Sequence, residues 1–223
     1  MSRGLGDVYK RQAFYGCTGL ETVALPDGLT EIAARAFSGC SKLASVRLPS
    51  TLTSIGEYAF YDCKALADVV VPEKITTLSR SLFAGCTGLK SVTIPAGVKT
   101  IDSGTFNKCS ALESIELPEG LTTLGSQAFM NCSALKSVRI PDGVTAIPNE
   151  TFAYCSVLET VELPSALKTI GNMGFYKNNA LRSISFPETL ETIGTNSFDE
   201  CHSLADVTID IPVVTDYSFR DCG

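Results

Sequence analysis

Apolar and polar positions along this chain follow two periods at once. At short range, stretches such as Ser-Val-Arg-Leu (residues 45–48) and Ser-Ile-Glu-Leu (114–117) make every second side chain apolar, which predicts short strands with one buried face. At long range the whole pattern returns every 23 residues. Phenylalanine stands at 14, 37, 60, 83, 106, 129, 152, 175 and 198 without a slip. Three residues after it comes Cys, except at Asn178, and three after that comes Leu, from Leu20 to Leu204. Val or Ile follows three further on, then an aliphatic or aromatic residue and Pro, as in Leu25-Pro26, Ile94-Pro95 and Phe186-Pro187. Two more aliphatic positions complete the unit, for example Leu29 and Ile32. Written out, it is A-F-x-x-C-x-x-L-x-x-V-x-L-P-x-x-L-x-x-I-x-x-x.

A single closed core does not need such regularity, whereas a stack of identical coils does. The fold class is therefore a repeat solenoid with a 23-residue period, mostly β and loop. Eight full units occupy residues 13–196, a ninth (197–217) is two residues short, and a partial unit covers 218–223. Equivalent strands pair in parallel and in register, about 4.8 Å apart. Pro ends each strand because it has no N–H for the ladder. A turn follows, marked by Gly28, Gly97, Gly120 and Gly143, and the segment ending in the second aliphatic position returns as a second extended piece. The stretch around Ala-Phe-x-x-Cys supplies a corner or a single helical turn, too short to count as a helix. One coil cannot shield its own apolar positions; stacked, each Phe lies against the next.

With these columns in view, the unit resembles the leucine-rich repeat of the BspA-like class, also called the Treponema pallidum type. The resemblance spans residues 13–217 and nearly every fixed column. It implies a right-handed superhelix with its parallel strands on the concave face. It also implies a group found largely on bacterial and protist cell surfaces, often associated with adhesion or host binding.

Residues 1–12 (MSRGLGDVYKRQ) fall outside the repeat: carried backwards, the period asks for aliphatics at 6 and 9, where Gly6 and Tyr9 stand. This tail lacks the apolar stretch of a signal peptide. It resembles an adapter-derived read-through, the alternative being a short native tail. Residues 218–223 stop inside a unit, so the chain is expected to be a fragment whose start carries no information about compartment.

Composition narrows the chemistry. The balance of 18 Lys+Arg against 24 Asp+Glu gives a charge of −6, which argues against nucleic acid as a partner. The longest aliphatic run, Val69-Val70-Val71, is too short to span a bilayer. One His and no Trp are a poor inventory for acid–base or metal chemistry, and no catalytic, cofactor or metal site is expected. The nine cysteines have a metric spacing, unlike a disulfide framework. A column of like side chains one strand apart exceeds disulfide reach and does not converge on a metal. The cysteines read instead as small buried thiols beside turn carbonyls, with Asn178 able to bond to the backbone in their place. A catalytic pair of Cys201 and His202 is disfavoured because neighbours in sequence rarely face each other. Tyr15, Tyr61, Tyr154 and Tyr176 read as corner packing rather than a sugar platform.

The exposed strand columns carry the remaining signal. After the fixed Leu come Lys90, Glu113, Lys136, Glu159 and Arg182, alternating in sign at every step. A second column gives Glu116, Arg139 and Glu162. Between them runs a column of small polar residues, Ser91, Ser114, Ser137, Thr160 and Ser183. Opposite charges on neighbouring strands compensate one another at about 0.2–1 kcal/mol per pair. The same strip suits a polar protein partner. The expected function is a non-enzymatic module of a cell-surface or secreted protein that binds a macromolecule through this strip, with adhesion taken from the family resemblance. A structural spacer displaying another domain is the alternative.

Overall fold

The computed structural model describes residues 8–9, 13–207 and 213–223. These wind into a parallel-strand solenoid of about eight turns built on two ladders. The first is formed by the residues after the fixed Leu, from Thr22–Val23 onward. The second, anticipated only as a returning extended piece, is the more continuous. It falls into three sheets: Glu31–Ile32 with Ser54–Ile55, then Thr77–Leu78, Thr100–Ile101 and Thr123–Leu124, then Ala146–Ile147, Thr169–Ile170, Thr192–Ile193 and Val213–Val214. Within both ladders the pairing is parallel and in register, for example Val69 beside Val92 and Ile170 beside Ile193.

The second ladder also reaches into the tail that the period leaves out. Val8–Tyr9 pairs in register with Glu31–Ile32; the remaining residues of that tail lie outside the described ones. Near the other end the register shortens as the short ninth unit requires. Ser183 still meets Asp206, 23 residues on, but Thr192 meets Val213, only 21 on.

The core is the set of repeated columns. Phe37 through Phe198 are completely buried, as are Leu43, Leu66, Leu89, Leu112, Leu135, Leu158 and Leu181. Ten phenylalanine rings, from Phe14 to Phe219, form one stack, with neighbouring centroids 5.1–5.8 Å apart and planes within 15° of parallel. That is offset stacking, worth about 0.5–1.5 kcal/mol per pair beyond area burial. Each proline carbonyl after the first strand accepts the N–H three residues on, as Pro95 does from Val98, which turns the next apolar side chain inward.

The corner holds no helical turn among the described residues, a correction to the expectation from sequence. Its N–H groups alternate instead. In the coil at 104–109, Gly104, Phe106 and Lys108 donate forward to Ser126, Ala128 and Met130 of the next coil. The intervening Thr105, Asn107 and Cys109 donate back three residues within their own coil. Helix would require every N–H to turn the same way. Left-handed residues impose the alternation, and they form two columns, two residues before and two residues after the Phe. Arg35, Tyr58, Ser81 and Gly104 open the first; Gly39, Asp62, Gly85 and Lys108 belong to the second.

Candidate interaction surface

The buried positions of the first ladder push the residues on either side of them outward. Lys90, Glu113, Glu116, Lys136, Arg139, Glu159, Glu162 and Arg182 are all exposed, and the ladder brings them onto one face. Some of the expected charge pairs form. Lys136 Nζ lies 2.8 Å from Glu113 Oε2, and the contact lowers the carboxyl's pKa while raising the amine's. Arg139 sits opposite Glu162 in register, with Nε 3.6 Å from Oε2. Its guanidinium also reaches Glu119, 2.5 Å from Oε1, a partner outside the strand columns that the sequence reading missed. Glu119 follows Pro118, so it sits at the rim where the strand ends.

Other expected pairs do not close. Among the described residues Lys90, Glu116, Glu159 and Arg182 make no ion pair; Lys90 and Glu159 act on the Lys136–Glu113 pair only through space. The first ladder pairs two by two: Asp68–Val70 with Ser91–Thr93, then Ser137–Arg139 with Thr160–Glu162, then the single bridge from Ser183 to Asp206. Shallow depressions lie along this face: between residues 91–94 and 114–116, between 114–116 and 137–139, and between 160–163 and 183–185, lined by apolar and hydroxyl side chains together with Glu116 and Glu162.

The repeat geometry and both ladders agree with a match to the BspA type leucine-rich repeat region, in six copies over residues 8–112 and 99–223. The chain belongs to this family. Among solved structures, the T. pallidum leucine-rich repeat protein is similar at 30% identity and a TM-score of 0.62, over 83% of this chain and 78% of that one. A leucine-rich cell surface protein of Faecalibacterium prausnitzii A2-165 shares the fold at 23% identity and a TM-score of 0.57, over 93% and 76%. A leucine-rich repeat protein of Eubacterium ventriosum ATCC 27560 does so at 24% identity and a TM-score of 0.54, over 82% and 65%. No curated protein gives a significant match.

In this BspA-type chain the cysteine column is a run of structural thiols. From Cys40 to Phe14 through to Cys222 to Phe198, each Sγ donates to the carbonyl of the Phe in the preceding coil, at 3.0–3.3 Å. Burial pushes the thiols up, to about 11 at Cys40 and about 12 at Cys86, Cys155 and Cys201. A thiol so held is a poor nucleophile. Cys201 is bonded to Phe175 inside the core, while exposed His202 contacts Asn179. Asn178 corrects the expectation made for it: it is completely buried, and neither side-chain polar atom has a hydrogen-bond partner.

Of the tyrosines expected to pack at the corner, Tyr15 is exposed instead, while Tyr61, Tyr154 and Tyr176 fall into two separate groups with Tyr58. Tyr58 and Tyr61 meet edge to face at 5.9 Å, with the Arg35 guanidinium 4.8 Å from the Tyr58 ring. Tyr154 and Tyr176 meet likewise at 5.3 Å. Lys177 lies over both rings and also pairs with Glu200, which accepts a hydrogen bond from the Tyr176 hydroxyl. These are packed, mutually satisfied groups.

Proposed function

We propose that this chain is a non-enzymatic interaction module of a cell-surface or secreted protein, binding a protein partner through the charged face of the first ladder. The observation that carries the reading is the split behaviour of that face: Lys136, Glu113, Arg139 and Glu162 neutralise one another, while Lys90, Glu116, Glu159 and Arg182 remain uncommitted. Small hydroxyl side chains between the two charged columns leave room for another backbone. Placement at the cell surface is supported by the family and by the similarity to a protein described as a leucine-rich cell surface protein. A mixed-charge face suits protein rather than polyanions.

A second reading, a spacer that displays another domain, is favoured by the self-compensating pairs, which need no partner to explain them. The two separate in a binding experiment on a panel of extracellular proteins, using the chain and its Lys136→Glu, Arg139→Glu variant. An interaction module loses binding by about tenfold or more when the face is reversed. Binding unchanged in the folded variant supports the spacer.

A further inference from the structure

The uncommitted charges have a register of their own. Lys90, Glu159 and Arg182 lie in one column, and Glu116 lies in the parallel column beyond the hydroxyl residues. Counting coils at about 4.8 Å each, Glu159 is about 14 Å and Arg182 about 19 Å along the axis from Lys90. Glu116 is one coil along, about 5 Å, on the other side of the hydroxyl column. An extended peptide advances about 3.3 Å per residue and sends alternate side chains to opposite sides. Laid along the hydroxyl column, it brings residues 1, 5 and 7 to about 0, 13 and 20 Å on one side and residue 2 to about 3 Å on the other.

These intervals match the free charges to within about 2 Å, less than the reach of a Lys or Glu side chain. Resting on the interaction reading above, we propose that the face recognises an extended protein segment with an acidic residue at position 1, basic residues at 2 and 5, and an acidic residue at 7. Position 1 meets Lys90, position 2 meets Glu116, position 5 meets Glu159 and position 7 meets Arg182. Position 3 falls over the Lys136–Glu113 pair, which is already neutral and calls for an uncharged residue. Lys90 and Arg182 make no ion pair among the described residues, so a ligand has none to displace at either end.

The test uses two labelled peptides and fluorescence anisotropy at low ionic strength. One contains Asp-Lys-Ser-Ser-Lys-Ser-Asp, the other the charge-reversed Lys-Asp-Ser-Ser-Asp-Ser-Lys. The full chain is expected to bind the first about tenfold more tightly. The Lys90→Glu, Arg182→Glu double variant, with thermal melting unchanged, is expected to lose or invert that preference. Equal affinity for the two peptides, including no binding of either, overturns the proposal, as does a preference indifferent to the double variant. Loss of partner binding on reversal of Lys136 and Arg139, alongside peptides bound equally, removes this register and leaves the interaction reading intact.

Discussion

The thiol of Cys109 donates to the main-chain carbonyl of Phe83, 3.2 Å away in the preceding coil. The same link recurs through the stack, so one side chain both fills the corner and ties coil to coil. Asn178 occupies this column in the coil after Cys155, with its amide buried and unbonded. Restoring the thiol removes two unsatisfied polar atoms. Asn178→Cys is expected to stabilise the chain by about 1–3 kcal/mol, measured by urea unfolding. A loss of stability would mean that the amide has a role the thiol cannot fill.

Alkaline pH should weaken the stack through the same column. Folding raises the thiol pKa values above their ordinary 9.0, so above pH 9 the unfolded chain has released protons that the native chain retains. Stability from this source is complete below pH 9 and falls as pH climbs toward the folded values of about 11–12, by up to about 1.4 kcal/mol per pH unit for each buried thiol. Unfolding free energies measured from pH 7 to 11 should be flat at first and then drop, more gently in Cys109→Ala. An identical slope in wild type and variant would exclude the thiols as its source.

The left-handed columns offer a cleaner backbone test. Lys108 is exposed, carries φ of 63°, and donates its N–H to Met130 of the next coil. Lys108→Gly relieves the Cβ strain of that conformation at some cost in chain entropy. It should gain about 0.5–1 kcal/mol. Gly39→Ala, at φ of 79°, should lose at least as much. Chemical denaturation of both variants checks the pair, and a stabilising Gly39→Ala would contradict the assignment.

One buried carboxylate depends on a single partner. Asp199 is fully buried and receives two hydrogen bonds from Arg220 in the next coil, at 3.0 and 2.5 Å. Arg220 itself is nearly half exposed, so its loss is partly made good by water. Arg220→Met should lower the melting temperature, though by less than breaking a fully buried pair would. Asp199→Ala, which removes the charge, should largely rescue it, as thermal melting of the double variant would reveal.

How much of this was legible follows from what a period can encode. Columns of side chains are visible in sequence, so Phe106, Cys109 and Leu112 declared the stack, the thiol column and the core. Backbone conformation is not: most left-handed positions are held by residues such as Lys108, Tyr154 and Glu200 that carry no turn signal. Gly-Cys at 16–17, 39–40 and 85–86, with Asp62-Cys63 and Asn131-Cys132, was a hint, but residues such as Lys108 diluted it elsewhere in the column. On the charged face, the register between Arg139 and Glu162 could be read because both lie in one column. Glu119 could not, because it approaches from the rim. Nor could the depressions between residues 91–94 and 114–116 and between 160–163 and 183–185 be foreseen, since the chain is as regular there as elsewhere.

The central claim is that each phenylalanine is stabilised by its copies above and below. Phe106 is sandwiched between Phe83 and Phe129 at 5.7 and 5.3 Å and is fully buried, whereas Phe219 is partly buried, stacks on Phe198 on one side and meets Phe186 edge to face at 6.4 Å. Urea unfolding of Phe106→Ala and Phe219→Ala in the same chain is the most direct test. The account predicts a loss of about 3–5 kcal/mol at Phe106 and less than half of that at Phe219. Equal losses at the two positions would contradict it.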